Sequence, residues 1–135
     1  MALIEWTPAL EVGLEEMDRQ HRQLVKILNE LHQAMQAGGR QRDLMRVMDE
    51  LLQYTKYHFS TEERLMAEAA YPGLPRHKQK HQALTAKVEE YAAAVLKGRA
   101  TISLSILQFL KEWLNRHILG TDREFAEFVR SRKVA

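Results

Sequence analysis

The sequence predicts an all-α protein, an antiparallel up-down-up-down four-helix bundle with an N-terminal arm. Its six glycines and three prolines leave long stretches that contain neither residue, and helices tolerate both residues poorly. Within those stretches apolar side chains recur three and four residues apart, which is the spacing of one helix face. No stretch alternates apolar and polar side chains over the length of a strand. Short connections between four such helices favour antiparallel neighbours.

The bounds of each element follow from the same pattern. We expect residues 1–135 to form a single domain, because this length suits one compact unit. The first 17 residues are apolar enough to predict an ordered arm, and Asp18 and Thr101 are predicted N-caps. A C-terminal segment, residues 122–133, either extends the last helix or forms a short one of its own. The four helices are predicted over residues 18–37, 41–69, 75–97 and 101–119.

The composition excludes several classes of protein. Twenty Lys and Arg against 18 Asp and Glu give a net charge of +2, too balanced for a dedicated nucleic-acid-binding protein. The chain has no cysteine, which excludes disulfides, thiolate zinc sites, cysteine-held clusters and thiol catalysis. No apolar run approaches the roughly 20 residues that span a bilayer. No secretory signal is visible at the start, so we expect a cytoplasmic protein with no membrane span.

Polar residues interrupt the apolar stripes of the predicted helices, where a bundle core should be apolar. Each such group costs a few kcal/mol when it is buried without a partner. Six of these costs would strain a total stability of about 5–15 kcal/mol, so the six residues need a common partner. These residues are His21, His58, Glu62, His77, His81 and His117.

The topology brings these residues to one end of the bundle. In an up-down bundle the starts of odd helices and the ends of even helices lie together, and all six positions satisfy that rule. Asp122 is a seventh candidate, five residues after His117. On a straight helix it would point about 140° away from His117, but a wide turn near Gly120 would return its carboxylate to the core.

Five imidazoles and two carboxylates suit iron, zinc, copper or manganese. They are too many for one ion and fit two ions bridged by the carboxylates. Taken singly, the His58/Glu62 pair or the His77/His81 pair could lie on the surface, and His81 or His117 could be an ordinary core histidine. A metal-free structural bundle is therefore the alternative. His32 falls one residue off its stripe and is predicted to lie outside the cluster, and Glu63 is predicted to face solvent.

Further residues accompany these candidates along essentially the whole chain. The full set is Trp6, Val12-Gly13, Asp18, Gln20-His21, His58-Phe59, Glu62-Glu63, Met66, Tyr71-Pro72, His77, His81, Trp113-Leu114, His117-Ile118 and Asp122. In this set the chain resembles the bacterial hemerythrins. The resemblance implies a non-haem di-iron site, Fe2+/Fe3+ with an oxo or hydroxo bridge. The implied ligands are His77, His81 and His117 for one iron, His21 and His58 for the other, and Glu62 and Asp122 for the bridge.

The resemblance also implies a function, reversible binding of dioxygen at an open position on the two-histidine iron. The protein would carry, store or deliver oxygen, would not be an enzyme, and would serve an oxygen-consuming protein partner. Leu114 matches the family residue that shields bound oxygen, and Leu24 and Phe59 are predicted further walls of the pocket. Oxygen or redox sensing through a partner, iron buffering and a weak oxidase or peroxidase activity are the alternatives.

Overall fold

The computed structural model describes residues 3–97 and 104–134, and within them every regular element is helical. This confirms the all-α bundle that the sequence predicts. The elements are a 3-10 turn at Pro8–Leu10, α1 at Glu15–Gln36, α2 at Gln41–Glu68, α3 at Leu74–Leu96, α4 at Leu104–Arg116, a π-helical segment at His117–Asp122, and α5 at Arg123–Val134.

The helices pack in the order that an up-down bundle requires. Helix α1 packs against α2 and α4, and α2 packs against α3, whereas the backbones of α3 and α4 approach each other less closely. The stripes form the core, and side chains such as Leu28, Leu31 and Leu107 are at most 1% exposed. Burying each such side chain contributes about 1.5–3 kcal/mol. No helix in the described part of the chain is long and apolar enough to cross a membrane.

The prediction that Asp18 caps the first helix is wrong, because α1 begins three residues earlier, at Glu15. The Asp18 carboxylate accepts hydrogen bonds from the backbone N–H groups of Val12, at 2.8 Å, and Gly13, at 3.2 Å. Asp18 therefore fastens the arm to the first turn of α1. The predicted cap at Thr101 lies outside the described residues.

The arm is ordered where the structure describes it. Ile4 exchanges two hydrogen bonds with the Asn29 side chain on α1, at 3.0 and 2.9 Å. Ile4, Leu10 and Val12 are buried in the core. The Arg130 guanidinium of α5 donates to the Val12 carbonyl at 3.0 Å, so the arm is held from both sides.

The C-terminal segment extends the fourth helix, because α4, the π-helical segment and α5 follow one another without a break. Phe125 on α5 is 1% exposed, and its ring centroid lies 5.1 Å from that of Tyr71. Arg132 donates to the carbonyl of Ala69, the C-cap residue of α2, at 2.8 Å. The segment therefore closes the end of the bundle where the polar residues lie.

Candidate metal centre

The structure brings all seven candidate ligands together in the core, and none is more than 5% exposed. Their ligand atoms form two overlapping groups, and the atoms of each group lie within 4.8 Å of one another. One group contains His21, His58, Glu62, His117 and Asp122, and the other contains Glu62, His77, His81 and His117. His32, which the pattern placed off its stripe, belongs to neither group.

Local structure explains how each helix presents its ligands. His58 and Glu62 are four residues apart on α2, and His77 and His81 are four apart on α3, so each pair shares a helix face. His117 and Asp122 are the first and last residues of the π-helical segment. A π-helix pairs residues five apart where an α-helix pairs residues four apart, so this wide turn brings the Asp122 carboxylate to the same face as His117.

The Glu62 carboxylate divides the five histidines into a set of three and a set of two. Its Oε1 lies near three ring Nε2 atoms, those of His77 at 3.2 Å, His81 at 3.0 Å and His117 at 3.0 Å. Its Oε2 lies near the Nε2 atoms of His58 at 2.8 Å and His21 at 3.4 Å. His117 Nε2 also lies 3.3 Å from Oε2, but it is closer to Oε1. Each oxygen of the carboxylate is therefore nearest to a different set.

The Asp122 carboxylate also spans both sets. Its Oδ2 lies 2.7 Å from His21 Nε2 and 2.9 Å from His117 Nε2, and its Oδ1 lies 3.3 Å from His77 Nε2. Two carboxylates that each contact both sets of imidazoles are placed to bridge two cations.

The Nδ1 atoms of three histidines hydrogen-bond to neighbouring side chains, which orients the Nε2 atoms toward the two carboxylates. These histidines are His58, His117 and His81. His58 Nδ1–H donates to Gln20 Oε1 at 2.8 Å, and the amide of Gln20 donates in turn to Thr61. The Thr121 hydroxyl donates to the carbonyl oxygen of His117, at 3.0 Å, and accepts from His117 Nδ1–H at 3.3 Å. In metal sites such partners leave Nε2 free to ligate and fix the plane of the ring.

The prediction that Glu63 faces solvent is wrong. His81 Nδ1–H donates to Glu63 Oε2 at 2.8 Å, and the Glu63 side chain is only 28% exposed. Successive residues of a helix are rotated by about 100°, so Glu63 leaves the stripe of Glu62 but still faces α3. Only knowledge of which helix packs on that flank identifies this contact, so the pattern within α2 holds no signal for it.

Burial and the nearby carboxylates have opposite effects on the pKa values of the histidines. Burial alone lowers the pKa of His21, but the close Asp122 and Glu62 carboxylates outweigh burial and raise this pKa to about 9. The same balance, with Asp122 and Glu62 again the partners, raises the pKa of His117 to about 10. Burial dominates at His58, and its pKa falls below the ordinary histidine value.

The two buried carboxylates remain charged. Burial tends to raise the pKa of Glu62, but His117 and His58 hold it well below the usual range. Asp122 also titrates below its ordinary pKa, because the attraction of His117 and His21 exceeds the effects of burial and of the nearby Glu62 charge. In the metal-free protein, imidazole protons therefore supply the positive charge that cations would otherwise supply.

The donor set fits a pair of metal ions. His58 Nε2 and both carboxylate oxygens of Asp122 are fully buried and have no correctly aligned hydrogen-bond partner among the described residues. Buried polar atoms without partners are costly, and bound cations would satisfy all three. Imidazole with carboxylate is a donor set that suits iron.

Two of the three predicted pocket residues line an apolar cavity beside the centre. Leu24 and Leu114 contribute to the walls of this cavity, which has a volume of about 20 Å³, room for about one water-sized molecule. Leu114 is 3% exposed and lies one turn before His117. Phe59 packs instead against His81, with ring centroids 3.7 Å apart and nearly parallel planes.

These features define a class, a helical bundle whose core brings five histidines and two carboxylates together as a candidate site for two metal ions. Residues 12–129 match the family described as "Hemerythrin HHE cation binding domain". The chain belongs to the hemerythrin family, the oxygen-binding proteins with a non-haem di-iron centre. The cofactor of this domain is that di-iron centre.

Individual relatives resemble the chain over most of its length. The bacteriohemerythrin of Stenotrophomonas maltophilia is 37% identical over 131 residues, which cover 97% of this chain and 84% of that protein. The bacteriohemerythrin of Pseudomonas aeruginosa is 33% identical, with 96% and 84% covered. A crystal structure of wild-type hemerythrin superimposes with a TM-score of 0.88 at 27% identity, covering 93% of this chain and 97% of that one.

Proposed function

We propose that this protein binds dioxygen reversibly at a di-iron centre and so carries, stores or delivers oxygen. The ligands would be the seven buried side chains, with Glu62 and Asp122 as bridges. The observation that supports the proposal best is the uneven division of the five histidines by Glu62. An ion on the side of His21 and His58 would have fewer protein ligands and therefore room for an exogenous one.

An apolar cavity close to the candidate ligands supports this proposal. Leu24 follows His21 by three residues and Leu114 precedes His117 by three, so both lie one turn from a ligand. Thr55, another cavity residue, lies one turn before His58 on α2. Bound ferrous ions would supply the affinity for dioxygen, and these side chains would admit a small apolar molecule while excluding bulk water.

The residues that line the cavity support reversible binding of dioxygen over its catalytic reduction. Release of oxygen in a reduced form requires protons, and Thr55 is the hydroxyl-bearing residue of this wall. Its hydroxyl donates to the Leu51 carbonyl at 2.7 Å, so that proton is already committed. The other cavity residues are leucines, a valine and a tryptophan, which supports a carrier role over a catalytic one.

The test is the metal content and the optical spectrum of the purified protein. We expect about two irons per chain, and a spectrum of the reduced protein that changes in air and returns when oxygen is removed. His58→Ala should lose iron, whereas the matched control His32→Ala should keep both ions and the same spectrum. One zinc per chain with no uptake of iron, or a change in air that does not reverse, contradicts the proposal.

Two finer points are proposed on the sequence alone. We place the protein in the cytoplasm and name an oxygen-consuming protein as the recipient of its oxygen. No feature of the described residues favours oxygen sensing, redox sensing or iron buffering over oxygen carriage.

A further inference from the structure

We propose that a cleft between α3 and α4 binds a planar aromatic anion, a reduced flavin phosphate, which returns oxidised iron to the ferrous state. This proposal rests on the proposed function, because only ferrous iron binds dioxygen. The cleft has a volume of about 400 Å³, within the range of roughly 300–1,000 Å³ that is typical of small-molecule sites. It occupies the space where α3 and α4 approach each other less closely than the other neighbours.

The inner wall of the cleft suits an aromatic ring. Leu84 of α3 and Phe109 and Trp113 of α4 contribute apolar surface to it. Leu84 is 5% exposed, whereas the two aromatic rings are half-buried, so parts of their surfaces remain accessible. Aromatic rings stack favourably on such surfaces, beyond the gain from burying area alone.

The rim of the cleft is cationic. Lys80 and Lys87 of α3 and Arg116 of α4 line it, and no carboxylate does. Among the residues that the structure describes, none of these three cations has a carboxylate within ion-pair distance. A guanidinium recognises phosphate through two parallel hydrogen bonds. Lys87 Nζ lies 5.7 Å from the centroid of the Phe109 ring. Cations without carboxylate partners beside aromatic rings therefore favour an aromatic molecule that carries phosphate.

The position of the cleft favours a donor of electrons. His117, a candidate iron ligand, also lines the cleft. The Trp113 ring stacks on the His117 ring with centroids 4.8 Å apart and planes inclined by 15°. A flavin ring stacked on Trp113 would therefore lie one aromatic layer from an iron ligand.

Two side chains are common to the cleft and to the small apolar cavity. Leu84 and Trp113 line both spaces. Electrons from a flavin in the cleft would pass through Trp113 and His117, so the flavin would not need to enter the small cavity.

The redox step balances with the flavin as the reductant. A fully reduced flavin gives up two electrons and two protons and becomes oxidised flavin. Each of two ferric ions gains one electron and becomes ferrous. The two protons pass to the solvent that fills the open cleft, and no other reactant is needed.

The first test is binding of flavin mononucleotide to the iron-loaded protein, followed by flavin fluorescence. Riboflavin has the same ring without the phosphate and should bind about tenfold or more weakly. The double variant Lys80→Glu/Arg116→Glu should lose at least about tenfold in affinity for the mononucleotide, with riboflavin unaffected. The control is Arg42→Glu, a charge reversal on the same bundle about 24 Å along α2 from His58, which should bind as the unaltered protein does.

The second test is reduction of the diferric protein by reduced flavin mononucleotide under anaerobic conditions. The rate should saturate with flavin concentration and fall about tenfold or more in the double variant at subsaturating flavin. Unaltered affinity in the double variant, or displacement of the mononucleotide by equimolar inorganic phosphate, overturns the flavin site. Lost affinity with an unchanged reduction rate overturns the electron-donor role. Both tests use protein of known iron content and need no oxygen binding, so failure of the oxygen spectrum is a separate result.

Discussion

Single hydrogen bonds give the two halves of the metal centre different character. His81, in the three-histidine set, donates to the Glu63 carboxylate, whereas His58, in the two-histidine set, donates to the neutral Gln20 amide. A carboxylate partner makes an imidazole a stronger ligand than an amide partner does. We therefore expect the three-histidine ion to be held more tightly than the ion with the open position.

Replacing Glu63 tests this difference. We expect Glu63→Ala to weaken iron binding about 10–100-fold, the usual cost of removing such a partner. Glu63→Gln, which keeps an acceptor for His81 Nδ1–H, should lose much less. Glu68→Ala removes an exposed carboxylate of the same helix that pairs with Arg64 and should have no effect. The measurement is competition for iron with a chelator, and equal affinities of all three variants would contradict the role of Glu63.

A second prediction at this scale concerns Leu114, which is buried and lines the small apolar cavity. We expect Leu114→Ala to keep both irons and to bind oxygen, but to oxidise to the ferric state faster because water enters. The loss of buried volume should lower the free energy of unfolding by about 2–5 kcal/mol. The control is Leu104→Ala on the same helix, since Leu104 is 60% exposed. Decay of the oxygenated spectrum at the unaltered rate in Leu114→Ala would mean that the barrier lies elsewhere.

At the scale of elements, the wide turn before α5 does not depend on its glycine. The sequence suggests that Gly120 permits this turn, but a Cβ there would meet nothing within 4 Å, and the φ of Gly120 is not in the left-handed region. The turn is held instead by Thr121, which bonds the carbonyl of His117, and by Asp122, which contacts the buried rings of His21 and His117. The contacts of the centre therefore shape the backbone that carries it.

Alanine substitutions test whether the arm at Gly13 and the wide turn at Gly120 each require glycine. Gly13 has φ +91°, and its Cβ would lie 2.7 Å from Arg130 Nη1, so Gly13→Ala should cost about 1–2 kcal/mol or more in the free energy of unfolding. Gly120→Ala should leave stability unchanged or raise it by about 0.5–1 kcal/mol. Chemical denaturation of the iron-loaded proteins measures both. Loss of iron from Gly120→Ala would show that the turn needs glycine after all.

At the scale of the whole molecule, the metal centre links stability to pH. In the metal-free protein the pKa is about 9 for His21 and about 10 for His117, against about 6.5 in an unfolded chain. The folded state therefore binds these protons more tightly. Their contribution to stability is complete below about pH 6.5 and is lost as the pH rises through the folded-state values.

We accordingly expect the free energy of unfolding of the metal-free protein to fall between pH 7 and pH 10. The iron-loaded protein should not show this component, because the ions replace the imidazole protons, and uptake of ferrous iron near pH 7 should release protons. Urea unfolding of both forms across this pH range measures the difference. The same pH dependence in both forms would mean that the histidines are not the groups that titrate.

The helices and the convergence of polar residues could be anticipated because each depends on local spacing and chain direction. Apolar periodicity places His58 and Glu62 on one face, and the alternation of helix directions brings them to the level of His77 and His117. The sequence misplaces the first turn of α1 because Asp18 is a residue type that commonly caps helices, whereas its carboxylate accepts a hydrogen bond from the backbone N–H of Val12. That contact joins the arm to α1, and no local pattern in the sequence predicts that these two segments pair.

The position of Asp122 depends on a wide turn that the structure shows. The amino-acid sequence is enough to predict the fold class, the stripes that build the core and the level at which the other six potential ligands meet. These features follow from the helical period and from topology, which act over a few residues or over whole helices. Tertiary structure alone decided that Glu63 supports His81, that Phe59 packs on that ring, and that α3 and α4 leave a cationic cleft beside Trp113. Such contacts depend on the rotation and separation of neighbouring helices, which are set by the packing of all side chains at once.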